Sequence, residues 1–131
     1  MITLSISTSR QTEFLDITRE VEEVILNAQV PDGLALVYCP HTTAGITINE
    51  GADPSVQEDI QRILNQMVPF QGPYRHGEGN SAAHIKASLI GSSVSVMIEN
   101  GCLILGHWQS LFFCEFDGPR TRKVLIKIIS H

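Results

Sequence analysis

His41 is the residue for which the sequence most clearly indicates a chemical role. It follows Leu34–Cys39, a nearly all-apolar run typical of a buried strand, and Pro40 ends that strand's hydrogen-bond ladder. A ring at a strand end can face a ligand, and the adjacent Thr42 adds a hydroxyl. We therefore expect His41 to act in catalysis and Thr42 to bind the ligand. A histidine that only caps the strand is the structural alternative.

Glu50 closes the next strand-like segment. The β-branched residues of 44–49 predict a strand, and Glu50 shares the parity of Ile46 and Ile48, so it points the way they do. A carboxylate at that position can carry protons. We expect Glu50 to be catalytic and its neighbour Asn49 to bind the ligand.

The twelve residues 69–80 show neither helical nor strand periodicity, and connections of this length are often binding loops. Arg75 and His76 precede Gly77-Glu78-Gly79, whose flexible glycines would let backbone N–H groups approach an anion. Arg75 and Glu78 are therefore candidates for ligand binding. An ordinary exposed loop explains the same composition.

A short helix is predicted over residues 81–90. The apolar face that we expect to meet the core comprises Ala82, Ile85 and Leu89. His84 lies more than a quarter-turn from that face, so core packing does not explain it. We expect His84 to be catalytic and Lys86 to hold an anionic ligand. A solvated helix histidine is the alternative for His84.

Three other charged residues complete the set of ligand-binding candidates. Asp53 precedes Pro54 at the start of a second predicted helix, where a role as N-cap also explains it. Asp59 lies beside that helix's apolar stripe, where a solvated carboxylate is as reasonable. Arg120 ends a four-residue turn and could offer its planar guanidinium to a phosphate.

A divalent metal, zinc or magnesium, is a further expectation. Imidazoles and carboxylates suit such ions, and His41, His76 and His84 are the candidate ligands. Their spacing matches no compact motif such as H-E-x-x-H, which places two ligands on one helix face. Whether the three histidines converge depends on the fold.

The cysteines and the absence of sorting signals predict a cytoplasmic protein. The three cysteines cannot all pair within the chain and form no C-x-x-C motif. No signal-peptide pattern and no apolar run of about 18 residues is present, so no membrane association is expected. A nucleophilic pair of Cys39 and His41 is rejected, because a buried free cysteine is usually inert.

Length and charge also indicate the domain count and the binding partners of the protein. A chain of 131 residues predicts a single domain over residues 1–131. The formal charge of −5 opposes the phosphate attraction on which nucleic-acid binding depends. Only 18% of residues are charged, below the roughly 25% of typical domains, which suggests that copies of the chain cover part of its surface.

The order of elements predicts an α+β domain built on a mixed or antiparallel β-sandwich with two or three helices. Alternation over residues 2–7 predicts the first strand, which 14–17 would continue or pair with. Thr18 is predicted to cap the first helix. Strands also dominate the last third of the chain, around an Asn100-Gly101 turn.

Several of these segments together resemble the YjbQ family, also called the secondary thiamine-phosphate synthase family. They are HTTAGITINE at 41–50, GEGN at 77–80 with AHIK at 83–86, and GHWQ at 106–109 with EFDGPR at 115–120. The resemblance spans essentially the whole chain in the family's order and spacing. Each motif alone is weak, and the combination is specific.

The resemblance implies a compact α+β fold, a homotrimer, and a polar site. That site would gather His41, Glu50, Asp53, Asp59, His76 and His84. The implied activity is a weak condensation of hydroxymethylpyrimidine diphosphate with thiazole phosphate, which releases diphosphate; the family's main role is unsettled.

Three functions therefore compete. The leading hypothesis is this transferase, a small-molecule enzyme whose partner is a phosphorylated metabolite. The second is a metal-dependent hydrolase of a phosphorylated or acyl metabolite. The third is a non-catalytic trimeric ligand-binding protein, favoured by the absence of any complete nucleophile motif.

Overall fold

A computed structural model describes all residues, 1–131, as eight strands and three helices. In chain order they are β1 (Ile2–Ser7), β2 (Glu13–Asp16), α1 (Thr18–Ala28), β3 (Gly33–Tyr38), β4 (Ala44–Glu50), α2 (Pro54–Met67), α3 (Ser81–Ile90), β5 (Ser93–Glu99), β6 (Cys102–Leu103), β7 (Gln109–Glu115) and β8 (Thr121–Ser130).

The strands form two sheets in which every pairing is antiparallel. The larger sheet has the order β1-β8-β3-β5-β6 and the smaller has the order β2-β7-β4. The main core lies between them, where Val37 and Ile126 of the larger sheet meet Ile46 and Phe113 of the smaller, with Val21 of α1 beside them. The expected α+β sandwich is confirmed, with three helices.

The smaller sheet is covered on its second face by α2 and α3. Strand β7 alternates: Leu111 and Phe113 belong to the core between the sheets, whereas Phe112 and Cys114 pack with Ala83 and other residues of the helical layer. The strand is buried on both faces from residue 111 onward, and residues 111–114 are correspondingly an unbroken apolar run.

Helix α3 buries a different face from the one that its large apolar residues predict. Ile85 and Leu89 are 40% and 58% exposed, whereas Ala82, Ala83, Lys86 and Ala87 are buried. The helix packs against β4, and alanines permit the close approach of the two backbones that bulkier side chains would prevent. The expected core face of this helix is therefore confirmed at Ala82 but wrong at Ile85 and Leu89.

Two local predictions also change. The segment at 14–17 neither continues nor pairs with β1, because β2 pairs with β7. Ile17, not Thr18, is the N-cap of α1, and the Thr18 hydroxyl instead bonds the Asp16 carboxylate and the Leu111 N–H.

Strand β3 is fully covered on one face only. Ala35 and Val37 are buried, whereas Tyr38 on the other face is 41% exposed, because nothing in the chain covers the outer face of the larger sheet. None of the three helices combines the length and the apolarity that crossing a bilayer requires.

Candidate functional site

A polar cavity of about 510 Å³ opens where the end of α3 meets the start of β4; we refer to it as the His41 cavity. Its lining residues are His41, Thr42, Ala44, His84, Ala87, Ser88, Gly91 and Ser92. Two imidazoles and three hydroxyls therefore face one space, although they come from distant parts of the sequence.

Backbone hydrogen bonds hold the two sides of this cavity together. The N–H of Cys39 donates to Ser92 O at 2.7 Å, and the N–H of Ile46 donates to Gly91 O at 3.1 Å. Gly45 is required at this crossing, because a Cβ added there would lie 2.6 Å from Gly91 O. The segment that carries His41 is thus fixed against the end of α3.

The His41 ring is held through one nitrogen. Its Nε2 accepts a hydrogen bond of 2.9 Å from the backbone N–H of Lys123. An accepting Nε2 carries no proton, so the neutral ring carries its proton on Nδ1. Burial, and then the positive charge of Arg122, lower the pKa of His41, which favours this neutral form at pH 7.

A second open cavity of about 540 Å³ shares His84 with the first; we refer to it as the His76 cavity. Its lining residues are Pro73, Tyr74, Arg75, His76, Ser81, His84 and Ile85. The rings of His76 and His84 meet edge to face, with centroids 5.2 Å apart. Arg75 and the N-terminal turn of α3, which begins at Ser81, give this cavity a positive character.

Glu50 and Asn49 lie far from both cavities. Strand β4 begins beside His41 and ends at Glu50, and its seven residues span roughly 20 Å at about 3.3 Å per residue. The Glu50 carboxylate accepts the N–H of Ala52, and Asn49 Oδ1 accepts the N–H of Glu50. Within the chain, Glu50 therefore does not meet His41 in the polar site that the resemblance implies.

The two acids of α2 have local partners. Asp53 is the N-cap and accepts from the Ser55 N–H and hydroxyl, which lowers the pKa of its carboxyl. Asp59 forms an exposed ion pair with Arg62 at 3.0 Å. Neither acid lines the His41 or the His76 cavity.

The remaining ligand-binding candidates, apart from those in the two cavities, also lie outside both cavities. Lys86 is buried, its ammonium donates to Asn65 of α2, and burial lowers the pKa of the amine. Arg120 donates to the Asp117 carboxylate at 3.0 Å. Glu78 lies in the exposed loop and lines neither cavity.

The residues present do not fit the expected divalent metal. No group of three or more histidine, cysteine, aspartate or glutamate side chains is arranged to hold an ion within the chain. His76 and His84 are close, but Nε2 of His41 is already bonded to the Lys123 N–H.

The Cys39 thiol is buried two residues before His41. Burial raises its pKa, so the thiol stays protonated and is a poor nucleophile. This agrees with the rejection of a Cys39–His41 pair.

Sequence reasoning missed a buried ion pair close to the His41 loop. Arg122 of β8 donates through Nε to Glu115 of β7 at 2.8 Å, and both side chains are almost fully buried. Burial disfavours the charged form of Glu115, but hydrogen bonds, first from Arg122, outweigh it and lower the pKa of the carboxyl. The available signal was strand parity, because Arg122 alternates inward with Val124 and Ile126.

Comparison with known proteins shows the same fold and sequence pattern in a group of relatives. The family model described as "UPF0047 protein YjbQ-like" matches residues 2–131. The chain is 54% identical over 128 residues to "UPF0047 protein YugU" of Bacillus subtilis, with 97% of each chain covered. It is 51% identical over 124 residues to a UPF0047 protein of Methanocaldococcus jannaschii, covering 95% of this chain and 90% of the other.

Solved structures of related proteins have the same fold as this chain. A crystal structure of a YjbQ/UPF0047 family protein from Clostridium acetobutylicum superposes with a TM-score of 0.97 at 56% identity, covering 98% of this chain and 100% of the other. A hypothetical protein from Aeropyrum pernix superposes with a TM-score of 0.94 at 36% identity, covering 98% and 97%. The names of these four proteins state no reaction.

Proposed function

Since the chain belongs to the YjbQ-like UPF0047 family, we propose that it is a transferase of the secondary thiamine-phosphate synthase type. It would join hydroxymethylpyrimidine diphosphate to a thiazole phosphate and release diphosphate. The observation that carries this proposal is that His84 lines two adjoining cavities, one for each of two small-molecule substrates.

The His76 cavity is the better match for the diphosphate. Arg75 supplies a permanent positive charge, and the helix N-terminus at Ser81 adds partial positive charge from unpaired N–H groups. These groups would stabilise the charge that accumulates on the departing diphosphate.

The His41 cavity would then hold the thiazole phosphate. His41 offers an Nδ1–H donor, and Thr42 and Ser92 offer hydroxyls that donate or accept. The Ser88 hydroxyl donates to the His84 carbonyl and is left as an acceptor. This set suits a polar, uncharged heterocycle with one phosphate.

In the reaction, the thiazole nitrogen forms a bond to the pyrimidine methylene carbon. The bond from that carbon to the diphosphate oxygen breaks, and the diphosphate leaves with the electron pair. The product ring nitrogen becomes positively charged. His84, which faces both cavities, is placed to hydrogen-bond the leaving oxygen, and no redox partner is required.

The two alternative functions have less support. A metal-dependent hydrolase needs a ligand set that the chain does not assemble by itself. A non-catalytic binding protein would use the same two cavities without turnover, and the assay below separates it from an enzyme.

The test is incubation of purified protein with both phosphorylated precursors and measurement of thiamine phosphate. We expect product from the wild type and from Asp59→Ala, whose carboxylate lies outside both cavities. We expect loss of at least tenfold in rate, about 1.4 kcal/mol of transition-state stabilisation, for His41→Ala and for His84→Ala. Wild-type product no greater than that of a variant carrying both His41→Ala and His84→Ala would eliminate the transferase.

We also propose that the protein is a cytoplasmic homotrimer that binds no nucleic acid. Its three cysteines are free, which suits a reducing compartment. On the open face of the larger sheet, Leu34 is paired in register with Met97 and Ile129, an arrangement that we call the apolar row. Met97 is 62% exposed and Ile129 is 52% exposed, and a neighbouring copy would cover them.

A further inference from the structure

The buried ion pair of Glu115 and Arg122 has a third member, Thr43. Arg122 Nη2 donates to Thr43 Oγ1 at 2.9 Å and to the Thr43 carbonyl at 3.4 Å, while Arg122 also binds both oxygens of Glu115. The N–H of Phe116 donates to the same Thr43 carbonyl at 3.1 Å. Thr43 is itself buried and lies two residues after His41. The pair therefore fixes the loop that presents His41.

The ring of His41 is fixed by Lys123, the residue that follows Arg122. Strand β3 pairs with β8 only as far as Tyr38 and Leu125, so it supplies no partner for the N–H of Lys123. His41 Nε2 accepts that N–H. Because Lys123 follows Arg122 directly in β8, the anchor of the loop and the anchor of the ring are adjacent residues of one strand.

A buried ion pair of this kind is not explained by stability alone. Well-packed apolar residues of similar volume often stabilise a core as well as a buried charge pair does. The planar fork of arginine, however, can bind a carboxylate and a hydroxyl in one fixed geometry, which an apolar side chain cannot do. The geometry of this pair thus suits a positioning role.

We propose that Glu115 and Arg122 are positioning residues for His41, and that they hold Nε2 against the Lys123 N–H and leave the Nδ1–H free for the ligand. Nδ1 has no partner within the protein, and the ring lines the His41 cavity. In the proposed transferase, this N–H would hydrogen-bond the thiazole substrate. That last step rests on the proposed function, whereas the positioning itself does not.

The direct test is the tautomer of His41 in ¹⁵N-labelled protein without substrate. Two-bond ¹H–¹⁵N correlation spectra at pH 7.5 distinguish the Nδ1–H form from the Nε2–H form, and His41→Gln identifies the His41 signals. We expect the wild type to show the Nδ1–H form. An Nε2–H pattern in the wild type would overturn the proposal without any need for a variant.

Two conservative variants test the role of the pair. Thr43→Val removes the hydroxyl that Arg122 binds, and Arg122→Lys keeps the charge but removes the fork. We expect His41 in both folded variants to show an averaged pattern with a populated Nε2–H form. The matched control is Thr8→Val, because the Thr8 hydroxyl donates to the same Glu115 at 2.8 Å but does not contact Thr43. This control should keep the wild-type signals.

The outcomes distinguish the positioning role from the proposed function. Unchanged His41 signals in folded Thr43→Val and Arg122→Lys, or an equal change in Thr8→Val, would overturn the positioning role. If turnover is found, Arg122→Lys should lower kcat/KM about tenfold or more, mainly through a higher KM, as expected when a substrate-binding donor is misplaced. Absence of turnover together with the expected tautomers would eliminate only the proposed function.

Discussion

At the scale of single residues, the basic side chains occupy different environments. Arg75 stays exposed at the rim of the His76 cavity, Lys86 is buried against α2, and Arg122 is buried against Glu115. Of these three residues, only Arg122 has a carboxylate partner, and both members of the pair are buried. The stability of the fold should therefore depend most on keeping that pair intact.

Arg122→Met is expected to lower the free energy of unfolding by about 3–5 kcal/mol, because it leaves the Glu115 carboxylate buried without its counter-charge. The double variant Glu115→Leu with Arg122→Met should lose much less, since no unpaired charge remains. Urea denaturation of the three proteins measures both effects. A single variant as stable as the double would contradict this account of the pair.

His41 is expected to make stability depend on pH. Burial and Arg122 lower its folded pKa below the ordinary value of 6.5, so the unfolded chain binds more protons in the range between the two values. The contribution of the neutral His41 ring to the free energy of unfolding is complete above about pH 6.5. It is lost as pH falls through the lowered pKa of His41 in the folded protein. Between pH 7.5 and 5, wild type should lose more stability than His41→Gln, measured by urea denaturation at both pH values. Equal losses would show that the folded pKa is not lowered.

At the scale of elements, α2 is the most weakly anchored helix. It contains no buried residue, and only the partly buried Ile60 and Leu64 pack on the core, whereas Ile63 and Met67 are 42% and 66% exposed. Its N-terminus is stabilised by the Asp53 cap and by Pro54. Elements with so few buried contacts open locally at low cost.

Asp53→Ala is therefore expected to increase amide hydrogen exchange over residues 54–67 several-fold, because it leaves the Ser55 N–H of the first turn without an acceptor. Asp59→Ala is the matched control, since it removes a carboxylate of the same helix that takes part only in an exposed ion pair. Mass spectrometry of exchanged peptides gives the comparison. Equal exchange in the two variants would mean that the cap does not hold α2.

At the scale of the whole molecule, the two sheets differ in how they are covered. The smaller sheet lies between the core and the helices, whereas the larger sheet leaves its outer face open, with the apolar row across three strands. An exposed row of this type is usually an interface.

The double substitution of Met97→Glu and Ile129→Glu should dissociate the proposed homotrimer, because it places like charges from every copy in the covered face. Sedimentation or light scattering would report the mass, with about three chains expected for the wild type. Leu89→Glu, which alters an exposed leucine on α3, serves as the control and should remain trimeric. A monomeric wild type, or dissociation by Leu89→Glu alone, would contradict the assignment of this face.

The sequence by itself determined the elements, because their signals are local. Alternation defined β1, Pro54 after Asp53 defined the start of α2, and the apolar run at 34–39 defined β3 to within a residue at each end. The motif combination identified the family, and the family and fold class are confirmed by the comparisons. Two of the candidate site residues, His41 and His84, line one cavity.

Only the tertiary structure decided which of the candidates meet. His41 and Glu50 share a segment of ten residues, yet an extended strand carries them to opposite ends of the smaller sheet. Arg122 and Thr43 are 79 positions apart, yet they are hydrogen-bonded inside the protein. Periodicity reports the neighbours of a residue along its own strand or helix, whereas a cavity or a buried ion pair depends on how separate elements pack together.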